Sequence, residues 1–238
     1  MPDEGEVFVR NRLLAALPTE QRARLLEKLE PVSLRLKEIV YDVNQPISHV
    51  YFPNTGVFSL LTIMQDGAAV EVGTVGYEGM VGLPVFLGAD STPSQAFSQI
   101  PGESLRMAAD VFKAEVANDG PLQGLLNRYT QGLFNQLAQS AACNRLHTVD
   151  ERLARWLLMT HDRVGQETFP LTHEFMAHML GVRRATVTVV AGRLQQAGMI
   201  RYSRGRITVV DRPGLEAASC ECYGITRAEF ERLLGHGG

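Results

Sequence analysis

From Pro121 to Arg163 the chain runs without a further proline or a turn cluster, and its apolar residues recur every three or four positions. That spacing lines up Leu122, Leu126, Tyr129, Leu133, Leu137, Ser140, Asn144 and His147 on one side of a helix. A helix of this length cannot bury itself within a chain of 238 residues. It either crosses a sheet of its own chain as a core helix or pairs with its copy as a coiled-coil seam does. We read it as a dimer seam of Leu126, Tyr129, Leu133, Leu137, Ser140 and Asn144, the last two being polar positions that set register.

The segments on either side have other periods. Residues 10 to 30 carry Leu13, Leu14 and Leu17, then Leu25, Leu26 and Leu29, at helical spacing, interrupted at Pro18-Thr19, where Thr19 is placed to cap the second helix. From 32 to 112, short runs rich in Val, Ile, Phe and Tyr alternate with turn signals such as Pro53-Asn54-Thr55-Gly56. Asp66-Gly67 between two apolar runs predicts a hairpin. Gly73, Gly76, Gly79 and Gly82 recur at every third residue, which suggests successive tight turns. Many short strands with regular turns imply an antiparallel barrel or roll.

The last third opens a compact helical unit. Thr172 begins a short helix, His173 to Leu180; Gly181 supplies a left-handed turn; a second helix runs from Val182 to Ala197 and stops at Gly198. Two short strands around Arg204-Gly205 then form a basic hairpin. Helix, turn, helix and basic hairpin make a winged DNA-binding module.

Charge supports that placement. The chain has a net charge of −3, yet Arg183, Arg184, Arg193, Arg201, Arg204, Arg206 and Arg212 face a single acid, Asp211, in this stretch. Arginine is the side chain suited to bidentate contact with phosphate and base edges. Arg183, Arg184, Thr186 and Thr188 lie at the start of the second helix, where exposed N–H groups and the helix dipole favour phosphate. Arg204 and Arg206 in the wing would lie over the flanking backbone.

Other chemistries fail on spacing. An apolar content of 45% with 21% charged residues excludes wholesale disorder. The most apolar run, Val57 to Met64, is too short to span a bilayer, and the acidic first residues contain no signal-peptide core, so the chain is expected to be cytoplasmic. His173 and His178 are five apart, about 140° around a helix, and cannot share a metal. The glycine run lacks the Gly-Lys-Ser/Thr of a phosphate loop, and no Gly-x-Ser-x-Gly elbow orders a nucleophile. Cys220-x-Cys222 offers at most half a zinc site and reads as a bystander pair, while Cys143 reads as a small buried apolar residue. No catalytic residue, cofactor or metal is expected, and the chain is not read as an enzyme.

The stretches LTHEFMAHMLGVRRATVTVVAGRLQQAGMIRYSRGRITVVD (171–211) and ERLARWLLM (151–159) resemble the Crp/Fnr regulators of bacteria, the cyclic-AMP-receptor and fumarate-nitrate-regulator family. VYFPNTGVFSLL to EGMVGLPVFLG follows the same order in the β region. The resemblance implies an α+β chain with helices over 1–31 and a cyclic-nucleotide-binding-like antiparallel β-roll over 32–120. A long dimerisation helix over 121–150 and a C-terminal winged helix-turn-helix over 151–238 would follow. It places Arg184 on a base-reading arginine, Thr186 on a phosphate-contacting threonine, and Thr172 and His173 where the first helix meets the DNA backbone. Ala185 replaces a common glutamate and Val189 a second base-reading arginine, so the operator should differ from the best-known family sites.

The effector pocket also departs. Gly82-Leu83 stands where cyclic-nucleotide binders have Gly-Glu, and Ser94-Gln95 stands where they have Arg-Ser/Thr. A phosphodiester without a nearby cation is poorly compensated, so cyclic AMP is not expected, and no N-terminal cysteine cluster is present for iron–sulfur binding. The implied partners are double-stranded DNA on a two-fold symmetric operator, a second copy of the chain and RNA polymerase. The alternative is a small-molecule sensor whose roll keeps a non-nucleotide ligand required for DNA binding.

Overall fold

The computed structural model describes residues 8–118 and 120–235; the acidic start of the expected N-terminal helical segment and His236 lie outside them. The first helices are α1 (Arg12–Ala15) and α2 (Thr19–Leu26). Asn11 caps α1 by accepting the Leu14 N–H. Thr19 does not cap α2: Pro18 occupies that position, extended at ψ 143°, and Thr19 is already the first helical residue.

Strands β1 (Glu30–Leu34), β2 (Ile39–Tyr41), β3 (His49–Pro53), β4 (Val57–Ile63) and β5 (Ala69–Val75) follow, then the short α3 (Leu83–Phe86), β6 (Ser94–Ile100) and β7 (Gly102–Ala108). They form two antiparallel sheets, ordered β1-β7-β3 and β2-β6-β4-β5. Alternating apolar runs separated by turns produce this roll, and the Asp66-Gly67 hairpin joins β4 to β5 with Ile63 opposite Ala69. The glycine run turns at only some of its positions: Gly79 N–H donates to Gly76 O at 3.1 Å, and Gly82 stands at φ 98°. Gly73 lies inside β5, and a side chain at 76 or 79 would meet a helix: Arg163 Cγ stands 2.6 Å from a Cβ at 76, and the Tyr129 ring 2.2 Å from one at 79. These glycines are flat spots on which helices rest.

Helix α4 (Ala109–Asn118) leads to α5 (Gly120–Leu146) and α6 (Val149–Val164). The long pattern is therefore two helices. Thr148 breaks it with a capping box, its hydroxyl accepting the Glu151 N–H while the Glu151 carboxylate accepts the Thr148 N–H. The expected seam residues turn inward. Leu126, Tyr129 and Leu133 are buried in the core of the roll, and Tyr129 Oη donates to Met80 O at 3.0 Å. Ser140 is buried and accepts from Arg155 Nη2, Leu137 is half-buried, and Asn144 alone of the six is fully exposed. For that face the core-helix arrangement is correct.

The C-terminal unit comprises β8 (Thr168–Pro170), α7 (His173–Leu180), α8 (Arg184–Gln196), β9 (Ile200–Ser203), β10 (Arg206–Val209), α9 (Arg212–Ala218) and α10 (Cys222–Leu234). The wing sheet has the order β8-β10-β9. One apolar cluster runs from this unit into the roll, joining Leu157, Phe169, Met176, Met179 and Val190 to Val57, Leu61, Phe97 and Ile100. Polar ties cross the same junction. Trp156 Nε1 donates to Glu71 Oε1 at 2.6 Å, and Arg163 forms a buried ion pair with Glu78 at 2.8 Å. Helix α10 lies along α5, with Phe230 against Gly132. Among the described residues no helix is long and apolar enough to cross a membrane.

Candidate nucleic-acid interface

Three local devices present the second helix of the motif. Thr172 caps α7, its Oγ1 accepting the Phe175 N–H at 3.2 Å. Gly181 turns the chain in the left-handed region, φ 63°, which a residue with a Cβ adopts only with strain. Val187, Val190, Ala191 and Leu194 then bury one side of α8. The helix begins two residues later than its sequence pattern suggests, with Arg183 extended at the N-cap and no side chain capping the first turn. Arg183, Arg184, Ala185, Thr188 and Val189 are exposed, and Thr186 is half-buried. The open first turn therefore carries two guanidinium groups beside uncapped N–H groups, an arrangement that favours anionic oxygen.

The wing stands beside it. Arg204 (φ 49°) and Gly205 (φ 73°) form a two-residue turn between Ser203 and Arg206, which pair across the hairpin. Two positive φ values are what a tight hairpin of this hand requires, and the turn holds Arg204 at the tip. Arg201, Arg204 and Arg206 are exposed. Two of the seven arginines are committed elsewhere: Arg193 grips Asp150 with two nitrogens, and Arg212 pairs with Asp162 and Glu216. Among the described residues the other five form no ion pair.

His173 and Thr188 hold the elements together. His173 Nδ1 lies 3.1 Å from Thr188 Oγ1, and its ring stacks on Tyr202 at 4.1 Å. Thr188 also donates to the Arg184 carbonyl. Burial, aided by the charge of Arg184, lowers the His173 pKa, which keeps the ring neutral. His178, by contrast, is exposed.

The four expected effector-pocket residues serve the roll. Gly82, at φ 98°, starts α3, and Leu83 packs half-buried on the core. Ser94 bonds Thr92 and Tyr41, and Gln95 Nε2 donates to Asp42 Oδ1 at 2.8 Å. The cysteines, however, are not bystanders to one another. Cys143, Cys220 and Cys222 are buried together beside His147. The separate spacings Cys-x3-His and Cys-x-Cys carry that information only when taken as two halves of one set.

Residues 151–218 match the Crp-like helix-turn-helix domain. The chain is 27% identical over 198 residues to the transcriptional regulator SdrP of Thermus thermophilus, covering 79% of this chain and 93% of that protein. A putative Crp/Fnr-family transcriptional regulator from Eubacterium rectale shares the fold at a TM-score of 0.66, with 20% identity over 87% of this chain and 96% of that one. The chain is thus similar to the Crp/Fnr regulators, and its residues 151–218 form a Crp-like helix-turn-helix domain. FixK2 from Bradyrhizobium japonicum has the same fold, with a TM-score of 0.68 and 19% identity over 81% of this chain and 98% of that one. The matched Crp-like helix-turn-helix corresponds to α7 and α8 of this chain.

Proposed function

We propose that the protein is a homodimeric, sequence-specific regulator that inserts the N-terminal end of α8 into the major groove at each half of a two-fold symmetric operator. The observation that carries this reading is the uncapped, exposed first turn with Arg183 and Arg184, flanked by the unpaired wing arginines. Arg184 reads a guanine edge, the wing and Thr172 hold the backbone, and Val189, 57% exposed, offers an apolar contact for a thymine methyl.

The dimer forms along the other face of α5. Asn127, Gln131, Phe134, Ala138, Ala141 and Arg145 are exposed and alternate by four and three, the spacing of a two-stranded seam. Phe134 is 66% exposed there. A second copy covers this stripe and sets the half-sites about one helical turn apart.

Selection of binding sites from random duplex DNA, with no ligand added, tests the reading. The expected result is a two-fold symmetric motif. Arg184→Ala should lose about 1–3 kcal/mol on that motif, roughly 5- to 150-fold, and little on random DNA. Absence of any motif with and without candidate effectors, or equal losses on both DNAs, overturns it.

A further inference from the structure

The last turn of α5 and the link between α9 and α10 meet in a cluster that the DNA-facing surface does not use. Cys143 lies on α5 and His147 just past its end, while Cys220 lies in the link and Cys222 opens α10. The three cysteines are free and buried, and one donor atom from each of the four residues lies within 4.8 Å of all the others. Cys143 Sγ is 3.6 Å from Cys220 Sγ, and Cys222 Sγ is 3.5 Å from His147 Nδ1. A tetrahedral zinc ion with Zn–S of about 2.3 Å and Zn–N of about 2.0–2.1 Å has edges of about 3.8 Å between sulfurs and about 3.5 Å between sulfur and nitrogen. Both separations are close to those of a set of ligands around one ion.

The surroundings point the same way. The other ring nitrogen, His147 Nε2, lies 3.3 Å from the Glu221 carboxylate. That contact fixes the tautomer with the hydrogen on Nε2 and leaves the Nδ1 lone pair facing the sulfurs, as outer carboxylates do for metal-bound histidines. Gln139 Nε2 donates to Cys222 Sγ at 3.0 Å, a bond that suits a thiolate. Arg152 and Arg155 lie within electrostatic reach of Cys143, and each has a buried Nε without a partner. Three thiolates around a divalent ion leave one net negative charge, which these guanidinium groups offset.

We propose that Cys143, His147, Cys220 and Cys222 bind a single Zn2+ ion. Thiolate and imidazole donors select zinc over magnesium or calcium, and four protein ligands close the coordination shell, so the site is structural. An iron–sulfur cluster would spread the donors over several irons, wider than this set allows. The ion clamps the α9–α10 pair onto α5 at His147, the residue before Thr148 starts α6. It thus fixes the joint between the long helix and the DNA-binding unit.

The test reads metal and is independent of DNA binding. The full chain, purified in reductant and exposed to zinc, should hold one ion per chain by elemental analysis. Replacement with Co2+ should give the visible bands of a tetrahedral thiolate site. Cys143→Ser and Cys222→Ser should each lose the ion. Glu221→Ala keeps all four ligands, and Glu221, although the N-cap residue of α10, makes no side-chain capping bond there, so the variant keeps the proposal testable where a serine variant fails to fold. Chelator competition should show its zinc held about 10- to 100-fold more weakly, with unchanged circular dichroism. Zinc well below one per chain, zinc retained by both serine variants, or iron with acid-labile sulfide would overturn the proposal.

Discussion

Glu71 sits buried on β5 where the roll meets α6, accepting Trp156 Nε1–H at 2.6 Å, with Ser59 Oγ also 2.6 Å away. Burial pushes its pKa up to about 7, although the bonds from Ser59 and Trp156 and the charges of Arg163 and Arg155 act in the opposite direction. A carboxyl whose folded pKa is raised binds its proton more tightly in the folded chain. Its stabilising contribution is complete below about pH 4.5 and is lost as pH rises through about 7. The loss amounts to about 3 kcal/mol, from about 1.4 kcal/mol per pH unit. Glu71→Gln keeps the shape and can accept the Trp156 N–H without a charge. Urea midpoints should match the parent at pH 5 and exceed it at pH 8.5; parallel curves across that range would refute the assignment.

At the scale of elements, α5 has two faces with different employment. One carries Tyr129 into the roll, and the other leaves Phe134 in solvent. Phe134→Glu places a charge in the proposed seam without touching the buried face. Sedimentation at micromolar concentration should then report monomers of unchanged helix content, and persistence of the parent's dimer would place the interface elsewhere. The sequence carries both stripes at helical spacing, and the buried one is the more apolar, so the pattern alone does not tell a core-facing stripe from a seam. Which stripe meets the roll depends on where Gly76 and Gly79 let a side chain approach, a tertiary fact with no local signature. The capping box at Thr148 stands in the sequence as threonine followed three residues later by glutamate, a stop that the unbroken apolar pattern on either side overrides. The helix-turn-helix was legible because Thr172, Gly181 and Gly198 are local stops. The metal-type cluster was not, because its halves stand 77 positions apart between Cys143 and Cys220.

For the molecule as a whole, the roll and the DNA-binding unit share one apolar cluster as well as the Arg163–Glu78 pair. Expressed alone, residues 151–238 would expose Trp156, Phe175 and Met179, which now face β4, β5 and β6 or lie against the side chains they carry. The fragment should bind a hydrophobic dye and aggregate beyond a dimer, while the full chain stays dye-silent and no larger than a dimer. A monodisperse, dye-silent fragment would mean that the junction is dispensable. A shared core also governs heredity. Recombination at the start of α6 would hand a new roll a C-terminal unit whose inner surface is cut for Val57, Leu61, Phe97 and Ile100. The heritable module is therefore the pair of facing surfaces, and an exchanged roll must bring matching residues at these positions.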